Sequence, residues 1–88
     1  MQVIQMARVD EQSEIFTVYG KPGCTFCVKA KNLLESKGLA YTYKEVGIDI
    51  SMNEFFHEIG QEVRTVPQIM VDNRLIGDYN SLMKYLKT

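Results

Sequence analysis

The sequence lacks several features that would assign it to a large class of proteins. Its formal net charge is −1 and its lysines and arginines form no cluster, which argues against a protein that binds nucleic acid through basic charge. No apolar run approaches the length of a membrane-spanning helix. The first residues lack the basic and then apolar layout of a signal peptide. We therefore expect a cytoplasmic protein that binds neither nucleic acid nor membranes.

Metal ligands are also scarce. The 88 residues include two cysteines, Cys24 and Cys27, and one histidine, His57. A structural zinc site takes four ligands, which these three side chains cannot supply within one chain. We therefore predict no metal site, and we interpret His57 as a solvent-exposed helix residue.

The two cysteines lie where a strand pattern gives way to a helix pattern. Residues 15–19 are β-branched and aromatic, which predicts a buried strand. Residues 24–37 are rich in helix formers and are followed by Gly38. In this setting the spacing Cys-x-x-Cys puts both side chains one turn apart on the same face, where their sulfurs can form a bond.

The position of Cys24 predicts that it is a nucleophile. The N–H groups of a first helical turn lack intrahelical partners, and the macrodipole adds about half a positive charge there. Lys21 supplies a nearby cation. Both effects favour the thiolate and predict a lowered pKa for the Cys24 thiol. Cys27, one turn deeper, is then the resolving thiol. The alternative is two ordinary buried cysteines, which the spacing and the context disfavour.

The remaining patterns predict one α/β domain with the order β-α-β-α-β-β-α. The strands are expected at 15–19, 41–46, 68–71 and 74–76. The helices are expected at 24–37, from a capping box of Ser51 and Glu54 to a stop at Gly60, and after a cap at Asp78 or Asn80. The first strand, helix and strand form a βαβ unit with parallel strands, and the last two strands form a hairpin. We predict a four-stranded mixed sheet flanked by helices, which is the thioredoxin-like arrangement. This domain covers residues 15–88, and residues 1–14 are an extension that forms an extra strand or an arm.

Pro67 is the second informative position. A proline cannot donate to a strand ladder, so it belongs at the start of a strand or at an edge. If the Val66–Pro67 bond is cis, the Val66 N–H and C=O stay unpaired by the sheet and can bind an extended peptide-like ligand. The alternative is a trans proline that only begins the strand.

From Ile15 onward the chain resembles a dithiol glutaredoxin. The matching segments are Lys21-Pro22-Gly23-Cys24-x-Phe26-Cys27, Ala30-Lys31-x-Leu33-Leu34 with Lys37-Gly38, Thr65-Val66-Pro67-Gln68, and Ile76-Gly77. In this order and spacing the set of segments is specific for that family. The resemblance implies the thioredoxin-like glutaredoxin fold, glutathione as co-substrate and a cis bond before Pro67.

The resemblance also implies roles for individual residues. Cys24 would attack the mixed disulfide, while Lys21 steers the glycyl carboxylate of glutathione. Phe26, where the family usually has tyrosine, would flank the tripeptide. The backbones of Thr65 and Val66 would hold its cysteinyl part. The γ-glutamyl end would meet the start of the last helix, at Asp78, Tyr79 and Asn80.

Three departures from the family pattern stand out. Thr25 replaces the proline that commonly follows the first cysteine, a change that can alter the redox potential or permit iron–sulfur chemistry. Asp78 occupies the place of the second glycine in a Gly-Gly turn, and aspartate is one of the few residues that tolerate a positive φ. The connection from Gly60 to Pro67 is slightly longer than usual, which makes Arg64 our candidate for a second carboxylate contact.

The favoured function is therefore a glutathione-dependent thiol-disulfide oxidoreductase that works as a monomer on protein disulfides and glutathionylated thiols. Ribonucleotide reductase is a partner that the resemblance implies. One alternative is a homodimer that shares a [2Fe–2S] cluster, ligated by Cys24 and glutathione from each side. Another is an electron donor that thioredoxin reductase recycles without glutathione.

Overall fold

The computed structural model describes residues 14–60 and 63–87. Its elements are β1 (Phe16–Gly20), α1 (Thr25–Ser36), β2 (Tyr41–Glu45), α2 (Met52–Ile59), β3 (Gln68–Val71), β4 (Arg74–Gly77) and α3 (Tyr79–Leu86). This is the predicted order, with boundaries within one or two residues of those expected. The predicted extension at residues 1–14 lies outside the described residues except for Glu14.

The four strands form one mixed sheet in the order β2-β1-β3-β4. The central strand β1 runs parallel to β2, with Phe16 opposite Tyr41, and antiparallel to β3. The strands β3 and β4 form the predicted hairpin around Asp72, whose φ of 55° lies in the left-handed region. The prediction of a thioredoxin-like sheet is confirmed.

Helices cover both faces of the sheet. The side chains of β1 alternate between the two faces and are apolar on each, so both faces need a covering layer. Phe16 and Val18 point towards α1 and α3, where they join a core with Ala30, Leu34 and Leu82. Every one of these side chains is at most 1% exposed. Burial of a large apolar side chain contributes about 1.5–3 kcal/mol, so this face supplies much of the stability.

The opposite face carries a smaller core beneath α2. Tyr19 from β1 packs there with Phe55, Ile59 and Met70. The Tyr19 and Phe55 rings are 5.3 Å apart. Because successive strand residues point to opposite faces, Tyr19 and Val18 can belong to different cores.

The start of α2 shows the capping box that the sequence predicts. The Ser51 hydroxyl accepts the Glu54 N–H at 3.0 Å, and the Glu54 carboxylate accepts the Ser51 N–H at 2.9 Å. Gly60 ends the helix with a φ of 80°. Within the described residues, none of the helices is long and apolar enough to cross a membrane.

Candidate functional site

The helix α1 begins at the first cysteine. Cys24 is the N-cap residue, and its sulfur accepts the Cys27 N–H at 3.1 Å. The first turn carries no acidic side chain, so nothing in that turn opposes the positive end of the helix dipole. The two cysteines form a disulfide with their Cα atoms 5.2 Å apart. The structure therefore confirms that the spacing lets the sulfurs bond and that a helix N–H reaches Cys24.

The two cysteines differ in their access to solvent. Cys24 is half-buried, whereas Cys27 is 1% exposed and packs beneath the first turn of α1. A partner from solution can therefore reach the Cys24 sulfur more readily than the Cys27 sulfur. The assignment of Cys24 as nucleophile and Cys27 as resolving thiol stays a prediction.

The loop before β3 approaches the first cysteine. The Val66–Pro67 peptide bond is cis, as the resemblance implies. The Val66 carbonyl oxygen lies 3.8 Å from the Cys24 sulfur. In the disulfide this sulfur has no proton to donate, while in the reduced protein the Cys24 thiol can donate to that oxygen. The backbone at Val66 therefore lies next to the reacting sulfur.

A cavity of about 280 Å³ opens beside this loop. The residues that line it are all ones that the sequence predicts to bind glutathione: Phe26, Thr65, Val66, Pro67, Asp78, Tyr79 and Asn80. The Phe26 and Tyr79 rings, 5.7 Å apart and inclined at 43°, form an apolar wall. Phe26 is 52% exposed, so its ring is accessible from the cavity. The cavity thus combines an apolar wall with polar groups, as ligand sites do.

A second cavity of about 370 Å³ shares no lining residue with the first. It contains both cysteines together with Lys21, Lys31 and Tyr43. The structure therefore divides the predicted site: Lys21 and Cys24 lie in this cavity, and the other predicted contacts except Arg64 lie in the first. The link between the two is the approach of Val66 to the Cys24 sulfur.

Arg64 lies outside both cavities. Its guanidinium carbon is 5.2 Å from the centre of the Phe56 ring, on the side of the molecule that α2 covers. Its role as a second carboxylate contact stays a prediction.

Asp78 lies at the end of the first cavity as the N-cap of α3. Its carboxylate accepts both the N–H and the hydroxyl of Ser81 at 3.0 Å. The backbone N–H of Ser81 is the main cause of the lowered pKa of Asp78. Asp78 is one of the two caps that the sequence predicts for this helix, and its φ of −85° is extended. The left-handed residue is Gly77, at 122°, where an added Cβ would come 2.8 Å from the Ser81 hydroxyl.

Sequence reasoning missed a buried polar residue behind the loop. Gln68 is 6% exposed, and its side-chain amide donates to the carbonyl and the hydroxyl of Thr65 at 3.1 and 3.2 Å. These bonds fix the residue before Val66. A glutamine at the first position of an otherwise apolar strand was the available signal, since a buried amide needs partners.

Two more residues near Cys27 were also missed as parts of the site. Gly20 ends β1 in a space where a side chain would meet the Cys27 sulfur and the Tyr43 hydroxyl. A glycine inside a strand pattern often marks such a close approach.

In the described part of the chain, no group of three or more histidine, cysteine or acidic side chains is arranged to hold a metal ion.

A disulfide of the Cys-x-x-Cys type at a helix N-terminus, facing the loop that contains a cis proline on this sheet, defines a thiol-disulfide oxidoreductase of the thioredoxin-like class. The family model Glutaredoxin matches residues 16–76. The glutaredoxin of Haemophilus influenzae is 40% identical over an alignment of 76 residues. The match covers 76% of this chain and 87% of that protein. The chain belongs to the glutaredoxin family.

Solved structures agree with this assignment. The solution structure of reduced Escherichia coli glutaredoxin has a TM-score of 0.72 and 32% identity, and the match covers 83% of this chain and 93% of that chain. The crystal structure of a buckwheat glutaredoxin–glutathione complex has a TM-score of 0.67 at 24% identity, and the match covers 91% of this chain and 77% of that chain. The second likeness is one of fold.

Proposed function

We propose that the protein is a glutathione-dependent oxidoreductase that reduces glutathionylated thiols and protein disulfides. The observation that carries this proposal is the cavity next to the Cys24 sulfur, which has an apolar wall, the Val66 residue whose carbonyl approaches that sulfur, and a helix N-terminus at Asp78. These are the groups that an extended tripeptide with a carboxylate at each end requires.

The proposed binding mode follows from the position of each group. The Val66 backbone binds the cysteinyl part of glutathione and holds its sulfur against Cys24. Phe26 and Tyr79 flank the tripeptide, and its γ-glutamyl end lies at Asp78 and Asn80. Lys21 attracts the glycyl carboxylate from the neighbouring cavity. Membership of the glutaredoxin family supports glutathione as the ligand here.

The reaction begins at Cys24. Its thiolate attacks the glutathione sulfur of a glutathionylated thiol, and the old S–S bond breaks. The released thiolate takes a proton from solvent, and Cys24 is left bonded to glutathione. A second glutathione thiolate then attacks the bound glutathione's sulfur, which yields glutathione disulfide and free Cys24.

Protein disulfides require the second cysteine. Attack by Cys24 joins the two proteins through a mixed disulfide and releases one thiolate on the substrate. The Cys27 thiolate then attacks the Cys24 sulfur, the mixed bond breaks, and the substrate leaves with both thiols reduced. The proposal further includes a monomer that acts in the cytoplasm, where a disulfide reductase such as this can serve ribonucleotide reductase.

The test is a coupled assay with glutathione, glutathione reductase, NADPH and a small glutathionylated thiol. We expect NADPH oxidation that depends on this protein and saturates with glutathione. Asn80→Ala should raise the Michaelis constant for glutathione. Asn53→Ala is the matched control because Asn53 is also the second, exposed residue of a helix but lies outside the cavity. Turnover with thioredoxin reductase and none with glutathione would contradict the proposal.

A further inference from the structure

Gly20 has no room for a side chain at the end of β1. A Cβ atom built on this residue would lie 2.5 Å from the Tyr43 hydroxyl oxygen and 2.9 Å from the Cys27 sulfur. The oxygen and the sulfur are therefore separated by no more than the sum of those two distances. Both distances are shorter than real Cβ contacts, so a glycine at this position lets the Tyr43 hydroxyl and the Cys27 sulfur come this close to the strand.

The sheet register brings Tyr43 to this point. Gly20 pairs with Glu45, and Val18 pairs with Tyr43, so the tyrosine ring lies along the end of β1 that leads to the cysteines. The Lys31 ammonium lies 4.1 Å from the centre of the Tyr43 ring and keeps it against the first turns of α1. Tyr43, Lys31 and both cysteines line the same cavity.

The Tyr43 hydroxyl is available as a donor. Other tyrosines in the sheet direct their hydroxyls to acidic partners, Tyr19 to Glu58 at 2.6 Å and Tyr41 to Glu35 at 2.5 Å. Among the described residues, the Tyr43 hydroxyl has no hydrogen-bond partner within the protein. Burial, followed by the charges of Glu45 and Asp49, raises the pKa of Tyr43, so the phenol keeps its proton at neutral pH.

We propose that Tyr43 is a catalytic residue of the resolving step, in which its hydroxyl donates a hydrogen bond to the Cys27 thiolate. The proposal rests on the dithiol reaction of the proposed function and adds a group to it. A hydrogen bond to the charged form of a thiol lowers its pKa and increases the thiolate fraction. Lys21 and Lys31 act in the same direction from this cavity, while Glu45 opposes them.

The chemical step balances without proton transfer from tyrosine. The Cys27 thiolate attacks the Cys24 sulfur of the mixed disulfide, the Cys24–Cys27 bond forms, and the bond to the substrate sulfur breaks. The electron pair leaves on the substrate sulfur, which takes its proton from solvent. When an incoming thiolate reduces the Cys24–Cys27 disulfide by attack at Cys24, Cys27 leaves as a thiolate, and the same hydrogen bond stabilises it.

The first test measures Cys27 directly and needs no turnover. In Cys24→Ser, the pKa of Cys27 is read from the pH dependence of its ¹³Cβ chemical shift. Adding Tyr43→Phe should raise this pKa by roughly half a unit to one unit, because the donor is lost while the ring remains. Tyr41→Phe removes a hydroxyl from the same strand, away from the cysteines, and should leave the Cys27 pKa unchanged. An unchanged Cys27 pKa in Tyr43→Phe overturns the proposal.

The second test separates a chemical role from a structural one. Tyr43→Phe should slow reduction of a protein disulfide by roughly three- to tenfold, in line with the lost thiolate. This effect should vanish in the Cys27→Ser background, assayed on a glutathionylated thiol. An equal loss in that background would show that the hydroxyl acts through the fold or through Cys24. A raised Cys27 pKa without any glutathione-dependent turnover would support Tyr43 and refute the glutathione dependence instead.

Discussion

The carbonyl oxygen of Val66 lies 3.8 Å from the sulfur of Cys24, although the two residues are 42 positions apart. This approach joins the loop before β3 to the N-terminus of α1. Any sulfur that forms a disulfide with Cys24 from the first cavity must therefore pass beside the Val66 backbone. The proposed binding cavity and the Cys24 sulfur thus meet at one point in the fold.

The first prediction concerns the acidity of Cys24. In Cys27→Ser the Cys24 sulfur still accepts the N–H of residue 27 and still lies at the helix N-terminus, so its pKa should fall clearly below the ordinary thiol value of about 8.5. The measurement is thiolate absorbance against pH. The Cys27 thiol, measured in Cys24→Ser, should titrate at a higher pH. A Cys24 pKa near the ordinary value would contradict activation by the helix.

The second prediction separates the two cysteines by role. Cys24→Ser should abolish activity on every substrate, because a serine hydroxyl stays un-ionised at neutral pH when no base lies beside it. Cys27→Ser should keep deglutathionylation, which a second glutathione can complete, and should lose most reduction of protein disulfides. Both variants are compared on a glutathionylated small thiol and on a protein disulfide. Retained activity in Cys24→Ser with none in Cys27→Ser would reverse the assignment.

The third prediction concerns the carboxylate of Asp78. Asp78→Gly removes a charge from the cavity and should change the Michaelis constant for glutathione while leaving the thiol pKa values alone. Asp78→Asn keeps an N-cap acceptor and removes only the charge, so it should change the constant in the same direction. Glycine at an N-cap costs only a few tenths of a kcal/mol, so both proteins should remain folded. Unchanged glutathione kinetics in both would exclude Asp78 from the site.

The fourth prediction concerns Gln68 as support for the loop. Gln68→Leu removes both bonds to Thr65 and leaves its carbonyl unpaired, so the protein should lose about 1–3 kcal/mol of unfolding free energy. The Michaelis constant for glutathione should rise, and the Cys24 pKa should stay the same because α1 is untouched. Thr65→Val removes only one of the two bonds, so its free energy of unfolding should lie between those of the wild type and Gln68→Leu. An unaltered Michaelis constant would restrict Gln68 to a role in stability.

The fifth prediction is a pH dependence on the α2 side of the sheet. The Tyr19 hydroxyl donates to Glu58 at 2.6 Å and is the main cause of the lowered pKa of Glu58. A carboxyl with a lowered folded pKa stabilises the protein above its unfolded value of about 4.3, and this contribution is lost as the pH falls through the folded pKa. Tyr19→Phe should lower the free energy of unfolding by about 1 kcal/mol at pH 7 and by less at a pH below about 4. Urea unfolding at both pH values measures this, with Tyr41→Phe as the control. A difference that does not vary with pH would contradict it.

Much of the fold followed from local patterns. The capping box at Ser51, the left-handed Gly60 and the hairpin at Asp72 all depend on neighbours within a few residues, so the sequence displays them directly. The N-cap position of Cys24 is of the same kind. Residue spacing alone therefore sufficed to predict the helix–disulfide part of the site.

Contacts between distant segments were harder to predict. The approach of Tyr43 to Cys27 depends on the register of β1 against β2 and on the missing side chain at Gly20, and neither is visible in a local pattern. The sequence left open whether Asp78 or Asn80 caps α3, because that choice depends on the hydrogen bonds that Ser81 donates to Asp78 in the folded chain. Sequence separation, not chemistry, limited these predictions.

The 1% exposure of Cys27 has a consequence for oxidative damage. Thiolates that peroxide can reach are oxidised to sulfenic acid and then irreversibly to sulfinic acid. In the reduced protein, that first oxidation falls on Cys24, and Cys27 lies close enough to condense with the sulfenic acid and release water. We expect the buried cysteine to convert a destructive oxidation into the Cys24–Cys27 disulfide, which is also the product of the proposed resolving step. Cys27→Ser should accumulate Cys24 sulfinic acid under peroxide, as mass spectrometry would show by an added 32 Da for two oxygens.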